Sequence, residues 1–292
     1  MSTPPTTILI TGANQGLGFE TARQLSKHPN VHLFLAGRDL AKIQEAQTKI
    51  TTEEGCQASV DTVIIDITDD SSIEAGVQEV QSKLREAALD VLVNNAGVYI
   101  GDQTPDKGLR RVFEETYAVN VFGAAVVADS FLPLLKQSKS EGGGRIINLS
   151  SGLGSIATMA DPDGQYKGGW LYAYNSSKSA LNSITVTLAM KNPELHVVCI
   201  DPGYNATSMN NYSGPMDPKD GVKVMVAHAL KKVGKSAGYY SNDGEPGYNA
   251  TSMNNYSGPM DPKDGVKVMV AHALKKVGKS AGYYSNDGEV LW

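Results

Sequence analysis

Tyr174 and Lys178 stand one helical turn apart in Trp170-Leu-Tyr-Ala-Tyr-Asn-Ser-Ser-Lys178. Residues at i and i+4 share a helix face, so a phenol and an ammonium point into the same space. An ammonium beside a phenol favours the phenolate and is expected to lower the tyrosine pKa from its usual ~10. A tyrosine tuned in this way passes a proton near neutral pH. The spacing alone carries little weight, because it arises by chance on the order of once per two chains of this length. Other groups at the right places must support it.

Those groups lie at the ends of apolar runs. Thr7–Ile10 is short, apolar and β-branched, and reads as a buried strand. It runs into Thr11-Gly12-Ala-Asn-Gln-Gly16-Leu-Gly18 and then into a helical pattern over Phe19–Ser26. Gly12 permits a tight turn, Gly16 lets a pyrophosphate approach the backbone, and Gly18 allows close packing of helix and strand. The helix N-terminus then faces the anion. The spacing is Gly-x-x-x-Gly-x-Gly rather than Gly-x-Gly-x-x-Gly. A second run, Val91-Leu-Val-Asn94, ends in Asn95-Ala96-Gly97. A third, Arg145–Leu149, ends in Ser150-Ser151-Gly152. A fourth, Leu195–Ile200, ends in Asp201-Pro202-Gly203, with Thr207 just beyond. In open α/β sheets ligands bind beyond the carboxyl ends of the strands.

The elements that must position these groups alternate. Strands are expected at Thr7–Ile10, Val31–Ala36, Thr62–Asp66, Val91–Asn94, Arg145–Leu149 and Leu195–Ile200, with helices between them. Asp39 is expected to cap one helix, and Asp70 or Ser71 the next. Apolar runs without alternation mean strands covered on both faces. Alternating elements mean right-handed crossovers and a doubly wound, Rossmann-type parallel sheet in a single α/β domain.

With these motifs in order, the chain resembles the short-chain dehydrogenase/reductase family from about Thr7 to Glu245. The resemblance rests on Thr11-Gly12-x-x-x-Gly16-x-Gly18, Asn94-Asn95-Ala96-Gly97, Ser151 and Tyr174-x-x-x-Lys178. Asn120, in Tyr117-Ala-Val-Asn-Val-Phe-Gly123, matches the family's helix asparagine. Ser151-Gly-Leu-Gly-Ser155 and the closing Asp-Gly-Glu-Val-Leu-Trp292 are similar to the carbonyl-reductase branch. The resemblance implies hydride transfer between a nicotinamide and a carbonyl carbon. Ser151 would bond the carbonyl oxygen, Tyr174 would protonate it, and Lys178 would tune Tyr174 and bind the nicotinamide ribose. Asn120 would hold a water linking Lys178 to solvent. Ser150 rivals Ser151, whose distance from Tyr174 is longer than the family's common form.

The cofactor site implied by the resemblance comprises Gly12, Asn14, Gln15, Gly16, Leu17, Gly18, Arg38, Asp66, Asn95, Ala96, Gly97, Pro202, Gly203 and Thr207, shared with Tyr174 and Lys178. Asp66 would bond the adenine amino group. After the second strand the chain reads Ala36-Gly37-Arg38-Asp39. An acid at this strand end bonds a ribose 2′-hydroxyl, whereas an arginine accommodates a 2′-phosphate. Gly37 removes the acid and Arg38 supplies the cation, so NADPH is expected in preference to NADH. Gln15 stands where many relatives carry a basic residue. Met159, Tyr166, Trp170, Tyr204, Met209 and Tyr212 fall in loops expected to surround the nicotinamide and to suit an apolar ketone or aldehyde. Two other functions stay open: an NAD-linked alcohol dehydrogenase working oxidatively, and a non-catalytic dinucleotide-sensing regulator.

Composition narrows the partners. The 292 residues are 41% hydrophobic and 20% charged, ordinary for a globular chain. A net charge of −5 disfavours nucleic acid. No uninterrupted apolar run reaches the ~18 residues of a membrane span, and the short start before Thr7 leaves no expected signal peptide. Two cysteines, Cys56 and Cys199, are too few for a disulfide framework. His28, His32, His196, His228 and His272 share no ligand spacing, so no metal is expected. A cytoplasmic enzyme, monomeric or homo-oligomeric, fits best.

One feature stands apart. Residues 202–245 and 246–289 are identical throughout. Each copy reads as a loop, a helix (Asp220–Val233 in the first) and a short strand (Ala237–Ser241). That unit completes a sheet but has no core of its own, and two copies are fewer than the ~3 a solenoid needs. The expected organisation is a domain over 1–245, a redundant copy over 246–289 and a three-residue end. The first copy, directly joined to Ile200-Asp201, has the shorter connection to the sheet edge and the lower closure cost.

Overall fold

The computed structural model describes residues 4–85, 87–101, 107–160 and 171–242, together with the backbone of 283–285 and 288–290. Seven parallel strands form the main sheet: β1 (Thr6–Thr11), β2 (Val31–Gly37), β3 (Ser59–Ile64), β4 (Val91–Asn94), β5 (Arg145–Leu149), β6 (His196–Asp201) and β7 (Tyr239–Ser241). Their order is β3-β2-β1-β4-β5-β6-β7. The order reverses between β1 and β4, which opens a crevice at their carboxyl ends. This is the expected Rossmann-type architecture.

The strand pattern explains the layering. Successive side chains of a strand point to opposite faces. Leu9, Phe34, Leu92, Ile146 and Val197 face one layer of helices: α3 (Asp70–Leu84), α5 (Ala124–Leu135) and α7 (Tyr172–Lys191). Ile8, Ile10, Leu33, Leu35, Val93 and Val198 face the other: α1 (Gly16–Leu25), α2 (Leu40–Thr52) and α9 (Lys223–Leu230). Both faces are therefore apolar, as the unalternated runs require. Between α4 (Leu109–Tyr117) and α5 the chain makes a π-helical turn, Ala118–Gly123. The stretch Leu109–Leu135 is long and apolar enough to cross a membrane, but half of its most apolar window is buried inside the protein. That is how a core helix of such a fold behaves.

Beyond one-residue shifts at the ends of β1, β2 and β6 and an earlier start of α1, boundaries moved in four places. Pairing with β2 starts at His32 opposite Ser59, so β3 begins earlier than expected and ends at Ile64. Asp66 therefore lies beyond the strand. The cap of α3 is Asp69, which accepts from the Ser71 amide at 3.0 Å, rather than Asp70 or Ser71. Asp39 caps α2 as expected, accepting from Lys42 N at 3.1 Å. The helix expected over Asp220–Val233 splits at Val222 into α8 (Pro218–Gly221), capped by Asp217, and α9. The last strand starts at Tyr239 because Ala237 adopts a φ of +62°, which ends regular strand geometry ahead of it.

β7 is drawn from the first copy of the duplicated segment, and it pairs with β6 through Cys199, Ile200 and Asp201. From the second copy, β8 (Tyr283–Ser285) pairs antiparallel with β9 (Gly288–Val290), which runs one residue past it. The rest of that copy, with His272, lies outside the described residues.

Candidate active site

The glycine turn is built before any ligand arrives. Gly12 and Gly16 hold φ of +63° and +58°, where a side chain is strained. A Cβ on Gly12 would lie 3.0 Å from Ala96 Cα, so the turn lies directly against the β4 strand end. Nothing lies within 4 Å of a Cβ placed on Gly16. That open face, at the first residue of α1, leaves room for a phosphate to meet free helix amides. Gly18 plays a different part. It does not line the cleft, and a Cβ there would fall 2.4 Å from Asn95 Nδ2 and 2.6 Å from the Gly12 carbonyl oxygen.

Asn95, expected to contact the cofactor, uses its side chain on the turn itself. Its Nδ2 donates to the carbonyls of Thr11 at 2.8 Å and Gly12 at 3.2 Å. Thr11 Oγ1 accepts from the amides of Asn95 and Ala96 at 3.1 and 3.0 Å. Thr11 and Asn95 thus lock the β1 and β4 ends together. The role of Thr11 was present in the motif but not assigned from it.

One cleft of about 1730 Å³ runs along the carboxyl ends of the strands. At one end it is lined by Asn14, Gln15, Gly16, Leu17, Gly37, Arg38 and Asp66, and at the other by Ser151, Tyr174 and Lys178. Ala96 and Gly97 line it between them, and Pro202, Gly203 and Thr207 line its lid side. Of the expected set, only Gly18 and Asn120 are not on its wall. Asp66 Oδ1 accepts from Thr68 N at 2.9 Å and Thr68 Oγ1 at 2.7 Å. Burial pushes the Asp66 pKa up, but the Thr68 bonds and the Arg38 charge outweigh it, so the carboxyl titrates below its usual range.

At the chemical end the two serines separate. Ser150 Oγ donates to Asn182 Oδ1 at 2.5 Å, and both residues line the cleft. Ser151, at the next position on an extended backbone, lines the cleft with Tyr174 and acts on the phenol to oppose the rise of its pKa. Its Oγ also accepts from Leu153 N at 3.2 Å, capping the turn Gly152–Gly154. Ser151 and Tyr174 therefore lie on the same cleft wall, with Ser151 acting on the phenol.

The Lys178 ammonium lies 5.7 Å from the centre of the Tyr174 ring. Its Nζ donates to the Leu149 carbonyl at 2.8 Å. The expected depression of the Tyr174 pKa is not found. Burial pushes the phenol up to about 12; the Ser151 bond opposes this, while Asp201 and Tyr99 add to it. Burial also pushes Lys178 down to about 8, with Cys199 opposing. The physical reason is desolvation, which disfavours both charged forms and exceeds the attraction across this separation.

Asn120 sits in the π turn, buried behind Lys178. Its Oδ1 accepts from Val98 N at 2.8 Å, and its Nδ2 donates to Val98 O at 2.9 Å and Ser177 Oγ at 3.1 Å. The side chain is thus committed to clamping the segment after β4 against α7. A Cβ on Gly97 would lie 3.3 Å from Asn120 Oδ1 and 3.7 Å from Lys178 Nζ, so Gly97 lets the three elements meet.

The lid after β6 is organised by Asn205. Its Nδ2 donates to the carbonyls of Pro202 at 2.9 Å and Gly203 at 3.0 Å, and its main-chain oxygen accepts from Asn210 Nδ2 at 2.7 Å. Thr207 lines the cleft from this lid, as do Tyr204 and Met209. Tyr212 does not line it, and Tyr166 and Trp170 lie outside the described residues. Tyr99, which the sequence reading passed over, lines the cleft and touches Tyr174. Its only signal was its place two residues past Asn-Asn-Ala-Gly.

Comparisons with known proteins agree with this geometry. The model of the short chain dehydrogenase family matches residues 6–218. A short-chain dehydrogenase, anuI, of Penicillium roqueforti is 36% identical over 228 residues, covering 77% of this chain and 88% of its own length. The structure of an NADPH-bound carbonyl reductase from chicken fatty liver superposes with a TM-score of 0.72 at 26% identity, covering 84% of this chain and 99% of that one. Carbonyl reductase Sniffer of D. melanogaster superposes with a TM-score of 0.70 at 28% identity, covering 83% and 98%. A glycine turn at the sheet's switch point, one continuous cleft and a Ser–Tyr–Lys cluster thus coincide with a match over most of the chain: it belongs to the short-chain dehydrogenase/reductase family of nicotinamide-dependent oxidoreductases and is similar to its carbonyl-reductase branch.

Proposed function

We propose that this enzyme reduces a ketone or aldehyde to an alcohol with NADPH. The observation that carries the reading is the grouping of Ser151 and Tyr174 beside Lys178, in the cleft that also holds the glycine turn. When bound, the nicotinamide supplies a hydride to the carbonyl carbon. Negative charge then develops on the carbonyl oxygen. Ser151 holds that oxygen by a hydrogen bond, and Tyr174 passes its proton to it. A phenol kept protonated by burial is in the form that donates, which favours the reductive direction. Lys178 anchors on the Leu149 carbonyl and keeps a positive charge behind the phenol. Asn120 holds the backbone around Lys178 rather than meeting the substrate.

Arg38, exposed at the end of β2 and lining the cleft, supports NADPH over NADH. The NADPH named with the chicken carbonyl reductase is consistent with that preference. An apolar carbonyl compound fits the Tyr204 and Met209 lid. A cytoplasmic setting belongs to the same proposal.

The test follows absorbance of the reduced nicotinamide with a panel of carbonyl compounds and both cofactors. Tyr174→Phe removes only the proton donor, so carbonyl reduction should fall by at least about a hundredfold while NADPH affinity stays close to the parent's. Turnover within tenfold of the parent overturns the assignment.

A further inference from the structure

One exposed ring on the cleft wall lies against the proton donor itself. Tyr99 follows the β4 end in a segment without regular structure. Its ring centre lies 5.3 Å from that of Tyr174, with the planes at 68°. Edge-to-face pairs of this kind orient each ring by the other's quadrupole. Tyr99 is nevertheless 42% exposed and lines the cleft. Among the described residues, Ile156, Tyr204 and Met209 are the other large apolar side chains that are both exposed and on the cleft wall. The Tyr204 ring is also held, since its hydroxyl and Ser213 Oγ are 2.6 Å apart. Exposed apolar side chains gathered in one cleft mark a ligand surface.

Geometry narrows the ligand. Tyr99 and Tyr174 border the same cleft with their rings in contact, so a carbonyl bonded to the Tyr174 hydroxyl brings the groups on its carbon to the side that Tyr99 lines. A planar ring attached directly to the carbonyl can pack against that ring by offset or edge contact. A puckered ring of the same carbon count covers similar area but offers no π-system.

Resting on the reading that Tyr174 protonates a carbonyl, we propose that Tyr99 is a specificity-determining residue. It selects ketones whose carbonyl is conjugated to a planar ring, and that ring packs against it.

The test compares acetophenone with cyclohexyl methyl ketone, which have the same carbon skeleton size and differ in planarity. The readout is the ratio of their kcat/KM values in the parent, Tyr99→Leu and Tyr99→Phe, because intrinsic carbonyl reactivity cancels between variants. Tyr99→Leu keeps apolar bulk and should lower the acetophenone preference roughly three- to tenfold, the range of an aromatic pair, chiefly through a higher KM. Tyr99→Phe should keep the parent ratio. Melting temperatures of both variants within a few degrees of the parent's exclude a folding defect as the cause. An unchanged ratio in Tyr99→Leu, or an equal fall in Tyr99→Phe, overturns the assignment while leaving carbonyl reduction intact. If the parent reduces neither ketone nor any other carbonyl compound with either nicotinamide, the underlying reading fails and this one fails with it.

Discussion

Burial, rather than the Tyr174–Lys178 spacing by itself, sets the protonation states of the pair. The phenol titrates near about 12 and the ammonium near about 8. Lys178 is therefore the group whose charge changes closest to neutrality. Reduction should be level below pH 7 and fall as pH rises through about 8, where the charge behind Tyr174 is lost. A kcat/KM profile for reduction checks this, and Lys178→Arg should move the falling limb upward because arginine stays charged. A profile level to pH 10 refutes the Lys178 assignment. Arg38 is the other residue with a separable effect. Charge-assisted bonds contribute about 1.5–3 kcal/mol, so Arg38→Ala should lower the NADPH-to-NADH preference by about tenfold to a hundredfold. A parent enzyme that prefers NADH overturns that reading. Glycine spacing, the tyrosine–lysine pair and the strand-end serines were legible as residues. Ser151 was favoured over Ser150 by resemblance; that Ser150 bonds Asn182, a partner 32 positions away, was not legible.

At the scale of elements, β6 and α9 meet over a buried pair of imidazoles. His196 and His228 are almost fully buried, with ring centres 6.2 Å apart and planes within 8°. Burial pushes both down to about 4; at His196 the Val233 carbonyl opposes this while Lys232 and Arg145 add to it, and at His228 the charges of His196 and Arg145 add to it. In the unfolded chain they titrate near 6.5, so the unfolded state binds more protons between those values. Their contribution to stability is complete above about pH 6.5 and is lost as pH falls toward 4. A shift of this size corresponds to about 3 kcal/mol per imidazole. Urea midpoints at pH 7.5 and pH 5 should differ, and His228→Phe should shrink the difference. Equal midpoints in the parent count against this account. The carboxylates with lowered pKa values, such as Glu53 and Asp66, act below this window. Nothing in the one-dimensional pattern marked this pair, since the two histidines are 32 residues apart and share no motif.

For the whole molecule the open question is what the repeated segment does. The first copy supplies the lid, α8, α9 and β7, and β7 occupies the sheet edge beside β6. We propose that residues 246–289 are dispensable. Deleting that 44-residue copy from the 292-residue chain leaves 248 residues ending in Val-Leu-Trp. The shortened protein should fold, melt within a few degrees of the parent and keep its kcat/KM. Loss of folding or activity shows that the second copy is structural.

The succession of strands and helices along the chain, the two-sided burial of the sheet and the four strand ends that carry the site were determined by the sequence alone. They follow from local periodicity and from glycine, serine and asparagine placed where strands stop, which each stretch of chain specifies for itself. Tertiary structure decided what depends on neighbours distant in the chain. It bonded the Asn95 amide to the backbone of Thr11 and Gly12, and it engaged Asn120 on Val98 and Ser177. It raised the Tyr174 pKa instead of lowering it, because desolvation is a property of the packed cleft and not of a helical spacing. It brought Tyr99 against Tyr174 across 75 residues. It also chose between two identical copies for one sheet edge, a choice that composition and pattern cannot make because both copies have the same residues and only connectivity differs.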